Sequence, residues 1–166
     1  MRPLGVMALM TLPELRAALP RSARLIGLDP GAKLVGVALS DVTLTLASPY
    51  CALKRGKLAA NAAEVSAIAR REGAGGLVVG LPLGMDGSFG PAAQAAKDWG
   101  RALAEAAGLD LAFWDERLSS AAVNRAMIEA DLTRAKRAKA VDAAAAAWML
   151  QSALDATRGA SGTAQA

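Results

Sequence analysis

Short apolar runs alternate along this chain with longer stretches in which apolar residues recur every three or four positions. RLIGLD (24–29) and LVGVALS (34–40) are two apolar strands, and Pro30-Gly31-Ala32-Lys33 between them is a connection of hairpin size. Gly27, Gly36 and Ala38 leave one face of that hairpin thin, and glycine within a strand marks a place where another backbone or a ligand comes close. A third strand is expected over about 48–54. Asn61 is placed to cap a helix running to about Arg71, which Gly73, Gly75 and Gly76 end. GGLVVGLPL (75–83) is then almost wholly apolar, as a strand buried on both faces is. The pattern predicts a helix from Pro91 to Ala107 with Gly108 past its end, and a strand over 109–114. Ser119 or Ser120 caps a further helix over about 121–131, and a basic connection, TRAKRAK, leads into a final helix from Ala138 to Ala156.

The expected order is β-β-β-α-β-α-β-α-α. The last two strands follow helical crossovers and should lie parallel to the first. This is an α/β domain over residues 24–156, preceded by an N-terminal extension (1–23) and followed by a small, polar, flexible tail (157–166). Thr11 and Glu14 form a capping box around Pro13, so the extension carries a short helix over about 12–19. No stretch approaches the ~20 apolar residues of a membrane span, so no membrane partner and a cytoplasmic location are expected.

Charge and composition narrow the chemistry. The net charge of +4 and pI near 9.6 suit a polyanionic partner and are also ordinary for a globular domain. The chain has no histidine, which removes every mechanism that needs an imidazole. Its one cysteine, Cys51, allows neither an internal disulfide nor a cysteine zinc site and reads as a buried strand thiol. Carboxylates remain.

Asp29 ends the first strand and Glu116 follows the last, so both reach the crevice beyond the carboxyl ends of the strands if the first strand is central. Asp29 also fits a turn aspartate before Pro-Gly. Asp142 is the lone charge between Lys139 and Asp155 in an alanine-rich helix, and a first-turn aspartate favoured by the helix dipole is the other reading. Asp115 and Glu116 face opposite sides of an extended strand, and spacing does not choose between them. The loop GLPLGMDGSFGP (80–91) precedes a helix and suits either a phosphate or a plain connection, with Asp86 as a turn residue.

With these segments together the chain resembles the YqgF family, described as pre-16S rRNA nucleases and Holliday junction resolvases. The stretches that carry the resemblance are GLDPGAKLVGVALSD (27–41), VVGLPLGMDGSFGPAA (78–93), FWDERLSS (113–120) and KAVDAAAAAWMLQSALD (139–155). It implies an RNase H-like fold: a five-stranded mixed sheet ordered 3-2-1-4-5, flanked by helices. It implies Asp29, Glu116 and Asp142 as a triad binding Mg²⁺ or Mn²⁺ for phosphodiester hydrolysis, and it is the resemblance that selects Glu116 over Asp115. Lys33, Arg117, Arg134, Lys136, Arg137 and Lys139 are the expected phosphate contacts. The family usually has a basic residue where Leu34 stands and asparagine where Gly84 stands. Leu34 removes a phosphate contact, and Gly84 is expected to loosen its loop.

The expected partner is nucleic acid: precursor rRNA, within or apart from ribosomal precursor particles, or branched DNA. Two symmetric cuts in a DNA junction favour a homodimer, whereas rRNA trimming suits a monomer as well. A non-catalytic RNA-binding assembly factor would keep the same acids. DPGAKLVGVALSD is also similar to the phosphate loop of actin-like ATPases, but those need two such domains and this chain supplies one.

Overall fold

The computed structural model describes residues 8–84, 86–116 and 134–159, with the side chains of 134–138 outside that description. The elements are α1 (Leu12–Ala18), β1 (Arg24–Pro30), β2 (Leu34–Ser40), β3 (Ala47–Lys54), α2 (Leu58–Glu72), β4 (Ala74–Leu81), α3 (Pro91–Ala107), β5 (Asp110–Asp115) and α4 (Arg134–Ala156). The five strands form one sheet in the order β3-β2-β1-β4-β5. β1 pairs antiparallel with β2 and parallel with β4, and β4 pairs parallel with β5. The parallel last two strands are as expected from the crossovers, and the order with the first strand central is the one the resemblance implies. The expected helix over 121–131 and its serine cap lie outside the described residues.

Side chains alternate across the sheet, so each strand feeds two cores. Ile26, Leu28, Val35, Val37, Leu77 and Val79 pack beneath α2 and α3. Leu25, Ala38, Val78 and Ala112 pack beneath α1 and α4. Two thin positions set the seating of α4. A Cβ on Gly27 would lie 2.9 Å from the Cβ of Leu150, and one on Gly36 would collide with the backbone carbonyl of Asp142. The thin face of the hairpin is where α4 lies. Because Asp142 meets the end of β1 and Leu150 its middle, α4 runs antiparallel to β1 and its N-terminal half points at the C-terminal end of that strand.

The N-terminal segment belongs to the same core. Thr11 and Glu14 make the capping box, Leu12 and Leu15 are buried, and along the edge of β5 Met10 N donates to Leu111 O while Leu111 N donates to Ala8 O. Gly73 and Gly108 take left-handed conformations that end α2 and α3.

Two local expectations are corrected. Asn61 is not the cap of α2, which starts at Leu58 after Lys57. Asn61 is buried inside the first turns, where Oδ1 accepts from Gly56 N at 3.0 Å and Nδ2 donates to Lys54 O at 3.1 Å. It ties the helix to the end of β3 from within. TRAKRAK is not a connection either: residues 134–139 are the opening turns of α4, so that helix begins four residues earlier than its apolar pattern shows. Among the described residues no helix is long and apolar enough to cross a membrane.

Candidate active site at the carboxyl edge of the sheet

Asp29 is the next-to-last residue of β1 and pairs with Gly36 of β2. Paired residues share a face, and it is Gly36 that lies under the Asp142 backbone. Asp29 therefore points to the α4 side, where it is 5% exposed. A charge so far from water is costly unless other charges or hydrogen bonds stabilise it. Asp142 stands over the same turn: a Cβ on Gly31 would be 3.8 Å from its Oδ1. Since Asp142 is the ninth residue of α4, the first-turn dipole reading does not apply to it.

Glu116 comes from the other side. Val78 and Ala112 face α4, so Gly80 of β4 and the residues two and four past Ala112 share that face. Glu116 folds back over Gly80, where a Cβ would come within 2.9 Å of its Cγ and 3.0 Å of its Oε1. Gly80 thus opens the space that the Glu116 carboxylate occupies beside β1. Asp115 shares the parity of Phe113, which packs with the α2–α3 core, and so belongs to the opposite face. The fold makes the choice between the adjacent acids that strand spacing left open.

Asp29, Asp142 and Glu116 are thus held by three separate elements on one face, at the C-terminal ends of β1, β4 and β5. Each also makes a polar or electrostatic contact in the structure. Among the described residues no three acidic or cysteine side chains are drawn together closely enough to hold an ion as they lie. The donor set nevertheless fits a hard divalent cation: carboxylate oxygens only, with no imidazole or thiolate. Two of the acids flank a single turn, and the third is a glutamate whose extra methylene gives it reach.

The basic residues divide. Lys33 is exposed in the β1–β2 turn, and Lys139 is exposed on α4 one helical turn before Asp142. Arg134, Lys136 and Arg137 lie along the opening turns of α4, with side chains outside the description. Arg117 lies outside the described residues. Cys51 takes no part: burial, and then the charge of Glu64, push its thiol up against the opposing effect of Arg71. A thiol held protonated is a poor nucleophile.

Sequence reasoning missed Arg55. Its Nη1 donates to the Gly31 carbonyl at 2.8 Å, its guanidinium lies 5.3 Å from the Trp99 ring, and its backbone N–H donates to Lys33 O at 2.9 Å. It clamps the turn that follows Asp29. Nothing in the local sequence sets Arg55 apart from other basic residues, because Gly31 and Trp99 are far from it along the chain.

The loop after β4 is wound tightly. Gly84 N donates to Ser88 O at 2.9 Å, Gly87 N to Gly84 O at 2.8 Å, and Ser88 N to Asp86 Oδ1 at 2.9 Å. Asp86 is a turn residue, as expected. Gly84 does not loosen the loop: a Cβ there would collide with Ser88 Oγ and lie 3.0 Å from Asp86 Oδ1, so glycine is what permits the tight turn.

Comparison with known proteins gives the family and the fold. The family model described as "RuvX: Holliday junction resolvase" matches residues 23–156. A protein of Acidiphilium cryptum (strain JF-5) named "Putative pre-16S rRNA nuclease" is 66% identical over 149 residues, covering 90% of this chain and 94% of its own. One of the same name from Gluconacetobacter diazotrophicus is 63% identical over 152 residues, 91% of this chain and 99% of that one. Among solved structures, T. thermophilus RuvC in complex with a Holliday junction substrate matches with a TM-score of 0.52 over 83% of this chain and 97% of that chain. At 17% identity this is a likeness of fold, and the fold is RNase H-like.

Proposed function

The chain belongs to the RuvX family, the YqgF family of the sequence resemblance, and from that premise we propose that it is a metal-dependent nuclease that hydrolyses phosphodiester bonds in the 5′-end maturation of pre-16S rRNA. The observation that carries this reading is the convergence of Asp29, Glu116 and Asp142 on one face at the carboxyl edge of the sheet. The names of the two relatives favour rRNA as the substrate; action in the cytoplasm, on free rRNA or on precursor particles, is part of the proposal.

Asp29, Glu116 and Asp142 would hold Mg²⁺ or Mn²⁺. A divalent ion in such a site supplies charge stabilisation for the phosphoryl group and an acidified water. The chain's own part is placement. β1, through its pairing with Gly36, fixes Asp29. α4 fixes Asp142, and Gly80 leaves room for Glu116. Lys33, Lys139 and the basic residues of the opening turns of α4 would contact the phosphate backbone. Such contacts read shape rather than sequence. Basic residues at a helix N-terminus also oppose the dipole of their own helix, a cost that a bound polyanion relieves.

Cleavage of purified pre-16S rRNA and of a synthetic four-way DNA junction, side by side with Mg²⁺ or Mn²⁺, tests the reading. Metal-dependent cutting of the RNA alone is expected. Symmetric cutting of the junction would instead make the protein a resolvase, a reading favoured by the family description and by the RuvC-like fold. No cutting of either would leave a non-catalytic RNA-binding assembly factor.

Arg55 gives a separate expectation. Arg55→Gln should lower kcat/KM about tenfold, the low end of what outer-shell partners of a metal site contribute. It should also raise the Mg²⁺ concentration at half-maximal rate, with little change in Tm. Arg55→Lys should recover part of the loss, since an ammonium reaches the carbonyl without the planar stack on Trp99. Unchanged cleavage and metal dependence in Arg55→Gln would remove the clamp from the account.

A further inference from the structure

Phe89 ends the loop between β4 and α3 and is 47% exposed. A single exposed apolar residue needs no explanation by itself. Three features set this one apart. The Nζ of Lys97 lies over the ring, 5.6 Å from its centroid, so one side of an exposed aromatic is paired with a cation. The loop that carries Phe89 is pinned by the three hydrogen bonds and the crowded Gly84 described above, so the ring is presented from a fixed turn. The loop also leaves β4 directly after Leu81, and so emerges from the sheet edge where Gly80 carries the Glu116 carboxylate. Lys97 in turn lines a groove between Leu81 and Phe113 of the sheet and the N-terminal residues 9–14.

We propose that Phe89 and Lys97 form a stacking step for one unpaired nucleotide of the substrate strand. The proposal rests on the nuclease reading for the nature of the substrate and adds which structural class of it is taken. A fixed aromatic face beside an ammonium is the combination that receives a splayed base and its phosphate, and it tolerates any base because every base has a π-face. A base inside a duplex has both faces covered by its neighbours and offers none to the ring. The step therefore selects single-stranded or unpaired segments over continuous helix, whichever sugar they carry.

The test uses the full chain with Asp29→Asn, in EDTA, so that binding is read without cutting. Short single-stranded RNA and DNA, and the same strands in duplex, carry 2-aminopurine at successive positions, and fluorescence and anisotropy are followed. The expected result is quenching at one position in the single strands and not in the duplexes. Phe89→Leu keeps the apolar bulk and loses the π-face, and should weaken single-strand binding about tenfold, within the range for loss of one stacked base, and abolish the position-specific quench. Phe89→Trp should restore both. The quench is expected in RNA and DNA strands alike, and a quench confined to one sugar would overturn the proposal. Equal affinity and equal quenching in Phe89→Leu, equal quenching in the duplexes, or no binding by any strand would overturn the proposal. Because no cleavage is measured, the stacking step can fail while the nuclease reading stands, and the reverse.

Discussion

Asp29→Asn is expected to abolish metal-dependent cleavage and to leave a folded protein. The side chains are nearly the same size, so the buried position at the end of β1 and its pairing with Gly36 are kept. What is lost is a negative charge on the most deeply buried of the three acids. Outer-shell partners of metal sites contribute about 10–100-fold to affinity or activity, so loss of a charge that holds the ion directly should exceed about a hundredfold. A second readout separates this from a general defect. A ligand that binds only the folded state raises its stability, so Mg²⁺ should raise the Tm of the wild type and not that of the variant. Cleavage that survives Asp29→Asn would place the chemistry elsewhere.

Gly36→Ala should be the most damaging single-methyl addition. A Cβ at that position would run into the backbone carbonyl of Asp142, not into the end of a flexible side chain. Overpacking typically costs about 1–3 kcal/mol and more where nothing can rotate away, so about 3 kcal/mol is expected. For a domain of this size that is a fall in Tm on the order of 10 °C. Whatever α4 recovers by shifting outward moves Asp142 away from Asp29, so activity should fall further than stability explains. Gly27→Ala is the comparison. Its methyl would lie 2.9 Å from Leu150 Cβ, a lesser overlap than the one with the Asp142 carbonyl, and it is remote from the acids. If Gly36→Ala proves as mild as Gly27→Ala, the close seating of α4 over the hairpin is wrong.

The chain spelled out its strands because buried parallel strands and a thin-faced hairpin leave strong local patterns: VVGLPL with no polar face, and glycines at 27 and 36 on one side of the hairpin. The thin face formed by Gly27, Gly36 and Ala38 was legible for the same reason, whereas the packing of α4 on it and the position of Asp29 there were not. Helix starts were less so. Asn61 has the chemistry of a cap, and only its burial against Lys54 and Gly56 shows it bonded from inside the helix. The polar opening turns of α4 carry no apolar period, so TRAKRAK looked like a connection. The effect of Gly84 depended on where Ser88 and Asp86 fall once the loop closes.

Of the candidate site, the sequence by itself determined the residue types and their places: two carboxylates at strand ends and one in a helix, no imidazole, and an excess of basic charge. It also carried the family resemblance that picked out Asp29, Glu116 and Asp142. Tertiary structure alone decided that Glu116 and not Asp115 faces the α4 side, because that follows from the pairing of β5 with β4 and from the space over Gly80. It alone placed Arg55 on the Gly31 carbonyl and Lys97 on Phe89. The division has one physical cause. Local sequence sets which backbone conformation is cheap and which face is apolar, whereas a site is made of contacts between segments far apart in the chain. Those distances are set by sheet order, register and the closeness of one helix to two glycines.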